Sequence, residues 1–420
     1  MGFLQWLPGC QRHRPSCSVR PGKRGTTKRW WRLPSSWAPR RGRRWRPGGG
    51  EGATARGAAA AGTFSLRCDT FPVRISVVVP TYNRLSTLPA CLTCLERQAC
   101  SVPYEVVVVD DGSTDGTVAW LVHAQTSTAA SAPLPSQLPH VRLVALPRNA
   151  GAARARNAGA DTAVGEVLVF VDSDVLVSRR FLQAHWDAHL AAGAVSPHPP
   201  ERPEPAYAPP CLAVGPVLHV HQVQAALEAV QQQRLRFNPL FDASRAYFCT
   251  SNASVSRWFF LQHGRFDEAF HRYGWEDLEA GERMRRAGAH SLCHVRLPLA
   301  AHGALAFHVK PRFSLEQVPR LLQQERDRGE MGMLFYRKMP TLSVRLMVQY
   351  TWVHRLLWTA LTLGGLVNEH TMRPLLAGLI RLGQHDLALF LFTIVLNRVT
   401  CEAVFAAARH TRYRFSAPPI

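Results

Sequence analysis

The stretch Glu166-Val-Leu-Val-Phe-Val171, running straight into Asp172-Ser173-Asp174, decides how this chain is read. A short apolar, β-branched run bounded by turn residues is a buried strand. It ends in two carboxylates, and such oxygen ligands suit a hard divalent cation, Mg²⁺ or Mn²⁺, that keeps further positions for phosphate oxygens. By itself an Asp-x-Asp triplet after a strand is ordinary turn chemistry. Its weight comes from what precedes it.

Three more runs of the same kind stand upstream: Ile75–Val79, Tyr104–Val109 and Val141–Leu146. Between them Leu85–Arg97, Asp115–Ala124 and Ala152–Ala163 carry apolar residues at helical spacing. Continuous apolar strands alternating with helices predict a mostly parallel α/β sheet covered on both faces. In such sheets ligands bind beyond the carboxyl ends of the strands. The polar segments fall there. Pro80-Thr81-Tyr82-Asn83-Arg84 follows the first strand, where it could hold a base or ribose. Asp110-Asp111-Gly112-Ser113-Thr114-Asp115 follows the second, and a carboxylate there accepts hydrogen bonds from a base N–H or from ribose hydroxyls. Asp115 and Ser113 read as helix caps. Next comes Arg148-Asn149-Ala150-Gly151, opening a helix whose N-terminus can accept a phosphate, with Arg154 one turn further on. Arg156 and Asn157 read as a solvated helix face.

Downstream, Arg179–Ala191 is a predicted helix, and Ser196–Pro210, with seven prolines, an irregular loop. Leu212–Val220 reads as one strand, Gln222–Arg236 and Ser256–His263 as helices, Asp277–Ala287 as a helix and Ser291–Val295 as a strand. Glu276-Asp277 at the start of a helix also suits the macrodipole. Leu315–Lys338 is helical and strongly charged. Val344–Ala408 is helix-rich, with apolar stretches Leu356–Val367 and Leu387–Leu396 that fall short of the ~18–20 residues of a spanning helix. Helices packed on the preceding domain are expected there, with shallow seating on a membrane face as the alternative.

Four of these segments, taken in order, carry a resemblance. A strand ending in Pro80-Thr-Tyr-Asn-Arg84, a strand ending in Val-Val-Asp110-Asp-Gly-Ser-Thr-Asp115, the Asn149-x-Gly151-x-x-x-Ala155-Arg156-Asn157 helix and a strand ending in Asp172-Ser-Asp174 are similar to those of the family 2 glycosyltransferases. The likeness runs from about Arg74 to His308. It implies a GT-A fold, in which a nucleotide-sugar half joins an acceptor half. It further implies that Pro80, Thr81, Tyr82, Asn83, Arg84, Asp110, Asp111, Asn149, Gly151, Arg154, Asp172 and Ser173 line the nucleotide-sugar site, and that Asp174 binds Mn²⁺ or Mg²⁺ bridging the diphosphate. Thr250-Ser-Asn252-Ala-Ser-Val-Ser-Arg257 resembles a family segment that places Asn252 at the sugar, with Ser251 where the family usually has glycine. The Glu276-Asp277 pair is similar to the family's catalytic acidic pair, with Asp277 as base. Trp275 beside it is read as a platform for a sugar face or as core. A histidine, His308 or alternatively His302, is implied at the metal.

The expected organisation is a basic leader at 1–73, a GT-A domain at 74–312 divided near 177, and a helical extension at 313–420. The expected activity is metal-dependent, inverting transfer of one sugar from a nucleoside-diphosphate-sugar, UDP first, to a hydroxyl of a glycan, lipid-linked or small-molecule acceptor. Synthesis of cell-surface polysaccharide or glycoconjugate would use it. Processive synthesis is disfavoured, because the nearest string to the relevant Q-x-x-R-W motif is Gln231-Gln-Gln-Arg234-Leu235. Nucleotidyl transfer onto a sugar phosphate is a second reading, but it needs a Gly-rich basic loop after the first strand, and Thr81-Tyr82-Asn83 is not one. A non-catalytic nucleotide-sugar-binding scaffold is a third.

The formal charge of +21 does not point to nucleic acid, because residues 1–73 hold 15 of the Lys/Arg and only 2 Asp/Glu, in a leader without periodicity. Ten cysteines lack paired metal spacing; Cys91 and Cys94 form a C-x-x-C on a predicted helix with no second pair. Free thiols imply a reducing compartment, the cytoplasm, with peripheral contact at the inner membrane face as the membrane alternative.

Overall fold

The computed structural model describes residues 73–126, 141–196, 208–225, 227, 248–288, 291–297 and 303–409. The basic leader, most of Ser196–Pro210, His302, the Gln231–Leu235 string and most of the helix expected at Gln222–Arg236 lie outside them.

The strands are β1 (Ile75–Thr81), β2 (Tyr104–Asp110), β3 (Val141–Ala145), β4 (Val167–Phe170), β5 (Val175–Val177), β6 (Cys211–Val214), β7 (Val217–Val220), β8 (Ala253–Ser256), β9 (Cys293–Arg296) and β10 (Ala306–Val309). Seven form one sheet in the order β3-β2-β1-β4-β8-β6-β9. Pairs β1–β2, β2–β3, β1–β4 and β6–β9 are parallel, and β8 runs antiparallel between β4 and β6. The mostly parallel sheet expected from the sequence is therefore present, with β8 as its antiparallel insertion. The chain winds outward from β1 to β3 and returns to β4 on the other side of β1. That reversal opens a crevice at the carboxyl ends of β1 and β4, the usual ligand position of such sheets.

Helices α1 (Leu88–Glu96), α2 (Thr117–Thr126), α3 (Ala152–Thr162), α4 (Phe181–Ala191) and α5 (Glu276–Ala287) flank the strands. Ile75, Val77 and Val79 of β1 pack in one core with α1 and α4, whereas Val78 turns to the other core with α3, β4 and α5. Both faces are thus covered, which explains the unbroken apolar strands. Helix α3 lies close: a Cβ on Gly159 would stand 2.4 Å from Val78 Cγ1 and 3.0 Å from Val109 Cγ2.

The strand expected at Leu212–Val220 is two. Gly215-Pro216 interrupts it, since Pro216 has no N–H for a ladder and a Cβ on Gly215 would meet the Asn252 amide at 2.5 Å. β6 stays in the large sheet, while β7 enters a second sheet of order β5-β10-β7. There β10 pairs antiparallel with β5, setting His308 opposite Val175. That register brings a histidine beside the acidic triplet.

The C-terminal part contains α6 (Val318–Lys338), α7 (Leu342–Met347), α8 (Trp352–Leu361), α9 (Arg373–Arg381) and α10 (His385–Arg409). α6, α8 and α9 all pack on α10. Phe270 and Trp275 share a cluster with Leu334 and Phe335 of α6, so these helices are continuous with the sheet-bearing part. α10 corrects one expectation. Its 25 residues are long and apolar enough to cross a membrane by length and composition, although 44% of its most apolar window is buried inside the fold.

Replacing Gly159 with alanine drives a methyl group into Val78 and Val109, and the expected cost is about 1–3 kcal/mol, read as a lower urea midpoint with unchanged slope.

Candidate active site

The loops after β1 and β2 lock together before they meet any ligand. Asn83, at φ 51°, donates its N–H to Ser113 Oγ at 2.8 Å, and its Oδ1 accepts from the Thr114 N–H at 2.8 Å. Asp115 Oδ2 accepts from the Leu85 N–H and Oδ1 from the Thr117 N–H at the start of α2, as expected of a capping residue. Asp111 takes one backbone N–H on each oxygen, from Ala150 and Gly151, both at 2.9 Å. Burial still pushes its carboxyl above the usual range, against those two donors. Asp111 thus braces the approach to α3. Gly151 there has φ +94°, and Gly112 (φ +74°) lies so close to the Arg148 backbone that a Cβ would stand 2.7 Å away. Thr81 Oγ1 and Asp110 Oδ1, at the ends of adjacent paired strands, are buried with no hydrogen-bond partner. Tyr82, Asn149 and Arg154 are exposed around this rim, and Arg154 acts electrostatically on Asp111.

The centre of the site is a buried ion network. Arg156, only 5% exposed, donates from Nη2 to Asp172 Oδ1 at 2.8 Å and from Nη1 to Glu276 Oε1 at 3.0 Å. The solvated helix face expected for Arg156 and Asn157 is therefore wrong. Asn157 is buried as well, its amide bonded to both the N–H and the C=O of Phe266. The alanines of α3 let the helix sit close to the sheet, so the longer side chains at 156 and 157 turn inward rather than to water.

Asp172 Oδ2 accepts from Ser251 Oγ at 2.6 Å. Burial would raise its carboxyl, but Arg156, His308 and Ser251 together hold it below the ordinary range. The serine standing where the related segment usually has glycine thus grips the acidic triplet directly. Ser173 is buried. Asp174, 9% exposed, has Oδ1 3.2 Å from His308 Nε2 and Oδ2 3.5 Å from Arg84 Nη2. Asp277 Oδ1 accepts from the Leu278 N–H at 2.8 Å. Burial and the neighbouring Glu276 push the Asp277 carboxyl up to about 7, against the pull of Arg156. Glu276 Oε2 is buried without a partner.

Two expected residues sit elsewhere. Asn252 is fully buried and its amide is committed: Nδ2 donates to the Pro216 and Ala304 carbonyls, and Oδ1 lies 2.9 Å from His185 Nε2. It ties β8 to the β6–β7 junction and to α4, leaving no side-chain group for a sugar. Trp275, in the left-handed region at φ 77°, donates Nε1 to the Arg328 carbonyl at 2.7 Å, and its ring centre lies 6.0 Å from that of Phe335. Of its two readings, core packing against α6 is the one observed.

Two residues escaped the sequence reading. Lys310, two places beyond His308, is drawn down to about 8 by burial, against the attraction of Asp174 and Asp172. Arg328 of α6 donates from Nη1 to both carboxylate oxygens of Glu325, at 2.9 and 3.1 Å, lies 5.1 Å over the Tyr273 ring, and acts electrostatically on Asp277. The only sequence signal for Arg328 was the dense charge of its helix.

Residues 76–206 match the model of Glycosyl transferase family 2. This segment is a family 2 glycosyltransferase domain. The chain is 28% identical over 251 residues to the uncharacterized glycosyltransferase YfnE of Bacillus subtilis, covering 51% of this chain and 61% of that one. It is 31% identical over 228 residues to validoxylamine A glucosyltransferase of Streptomyces hygroscopicus subsp. jinggangensis, covering 51% and 52%. The chain thus spans little more than half the length of these relatives. Among solved structures it is similar to the mannosyltransferase PcManGT of Pyrobaculum calidifontis in complex with GDP-Man and Mn²⁺, at 19% identity, 81% and 87% coverage and a TM-score of 0.44.

Removing the central cation separates packing from charge. Arg156→Ala strands Asp172 and Glu276, and a loss of about 3–5 kcal/mol is expected in chemical denaturation. The Asp277 carboxyl, raised in the folded protein above its unfolded value, favours folding below the unfolded pKa and loses that contribution as pH rises towards 7. Asp277→Asn should therefore melt higher than the parent at about pH 8, the gap closing as pH falls towards about 4; a gap independent of pH would refute the raised carboxyl.

Proposed function

We propose that the chain transfers one sugar from a nucleoside-diphosphate-sugar to a hydroxyl acceptor, with inversion at the anomeric carbon. One observation carries this reading: the two acidic pairs, Asp172/Asp174 and Glu276/Asp277, meet in one cluster through the Arg156 guanidinium. The cluster lies at the carboxyl ends of the parallel strands, where the exposed rim of Tyr82, Arg84, Asn149 and Arg154 is available to nucleotide and phosphate groups.

A sugar hydroxyl is a weak nucleophile at neutral pH and needs a base. Asp277, whose carboxyl burial and Glu276 push well above the usual range, is a stronger base than an ordinary carboxylate and is placed to accept the proton. The hydroxyl oxygen then bonds to the anomeric carbon while the bond to the diphosphate oxygen on the far face breaks, and the electron pair leaves with the nucleoside diphosphate. Glu276 raises the proton affinity of Asp277, and Arg156 limits that rise. Arg84 and Lys310 supply positive charge on the side of Asp174.

Among the described residues no three His, Cys, Asp or Glu side chains form a complete metal cage. Asp174 and His308 nevertheless fit a divalent ion, one carboxylate and one imidazole 3.2 Å apart, if phosphate oxygens complete the shell. Asp172 is held by hydrogen bonds from Arg156 at 2.8 Å and Ser251 at 2.6 Å, tighter than either carboxylate contact of Asp174, and so orients the site. Asp174 and His308 would hold Mn²⁺ or Mg²⁺, and such an ion, when bound, offsets charge on the departing diphosphate.

UDP is the nucleotide we assign first, and the acceptor class is a glycan, a lipid-linked sugar or a small molecule in cell-surface polysaccharide or glycoconjugate synthesis. The seven described cysteines are all free thiols, which supports a reducing, cytoplasmic setting. A nucleotide-sugar panel, with donor hydrolysis followed in Mn²⁺ and then in EDTA, tests the reading. Turnover lost in EDTA is expected; no turnover of any donor and no metal-dependent nucleotide binding would favour a scaffold. Asp277→Asn should lower the transfer rate by about 10²–10⁴-fold while donor affinity stays within a few-fold. Asp174→Ala should instead lose metal-dependent donor binding, measured by calorimetry.

A further inference from the structure

The outward faces of the C-terminal helices are apolar where a helix in water is polar. Among the described residues 18 large hydrophobic side chains are exposed, and 14 of them lie between Leu342 and Phe390. Helix α8 shows the pattern most clearly. Trp352 and Leu356 stand four residues apart, 68% and 59% exposed, with Val353, Leu357 and Leu361 exposed beside them. Residues at this spacing form one stripe along a helix. The side turned inward carries His354 and Trp358 instead. The amphipathic order is inverted, and a contiguous exposed apolar patch of this kind marks an interaction surface.

Charge identifies what covers it. Arg345, Arg355, Arg373 and Arg381 are exposed in the same stretch, whose carboxylates are Glu369 and Asp386. Outward Trp and Leu interleaved with arginines is the composition of helices that lie in the plane of a membrane interface. A two-fold pair of chains would set this patch against itself, arginine facing arginine. Anionic headgroups match the same arginines. α8 and α9 also pack on α10, whose most apolar window is 44% buried within the fold, which favours seating on the surface over spanning.

We propose that helices α7 to α9 seat this protein on the surface of an anionic lipid bilayer, with the Trp352–Leu361 stripe in the acyl boundary and the arginines at headgroup phosphates. The inference does not depend on the reaction assigned to the acidic cluster.

Co-sedimentation of the full-length chain with vesicles tests it. Vesicles of phosphatidylcholine with phosphatidylglycerol should bind the protein at least about tenfold more tightly than phosphatidylcholine alone. The double variant Trp352→Gln/Leu356→Gln should bind the anionic vesicles about tenfold more weakly or worse. Arg373→Gln/Arg381→Gln should weaken binding by about 25-fold, near fivefold for each arginine. All four side chains are exposed, so the thermal melts of both variants should match the parent, and Asp277→Asn should sediment like the parent whether or not it transfers sugar. Protein left in the supernatant with both vesicle types would overturn the proposal. So would undiminished binding by the Trp352/Leu356 variant, which would assign the attraction to another basic segment such as the leader. A lipid-free dimer that this variant dissolves, without vesicle binding by the parent, would give the face to a second copy.

Discussion

A carboxylate withdrawn from water must find a positive partner or take up a proton, and this site does both. Arg156 is the partner. Its guanidinium sits between Asp172, just past the end of β4, and Glu276, at the start of α5, and the second contact reaches 120 positions along the chain. Burying such a triad costs several kcal/mol per ion in desolvation, so its presence is poor evidence of added stability. What it does provide is geometry. The forked donors hold two carboxylates at fixed separation and leave Asp277, outside that pair, as the group whose proton affinity rises.

The sheet explains why these groups converge. The reversal of strand order at β1 opens the crevice, β4 feeds the acidic triplet into it, and the short β5–β10 pairing sets His308 beside Asp174. Ser251 closes the ring from the turn before β8. Each contact comes from a different element, so the site rests on the packing of the whole sheet-bearing part and not on one loop.

That division also separates what the sequence displays from what it conceals. β1 to β4 were legible because strands buried on both faces are continuous apolar runs, and their carboxyl-end motifs stood at the expected places. β5, β8 and β10 are three or four residues long, too short to carry a period, and only their pairing partners make them strands. Arg156 read as solvent-facing because helical periodicity reports which face is apolar, not how closely a backbone approaches a sheet; Gly159, whose added Cβ would meet Val78, was the overlooked sign. Asn252 read as a sugar-binding group through the resemblance of its segment, while the carbonyls of Pro216 and Ala304 that claim its amide are remote in sequence. The acidic pair at the start of α5 was visible, but its raised carboxyl is a product of three-dimensional burial.

Helix α6 shows why the C-terminal helices belong in an account of the site. One side of it bears Arg328, which acts on Asp277 and whose carbonyl accepts from Trp275. The other meets α10, closely enough that a Cβ on Gly329 would stand 2.5 Å from Ala403 Cβ. α10 in turn carries α8 and α9, the helices with the apolar outward faces. A dense interface of this kind has little freedom to slide, because interiors packed to crystal-like density transmit displacement instead of absorbing it. The acidic cluster and the apolar face are therefore joined through two packed helices, with Arg328 of α6 acting electrostatically on Asp277.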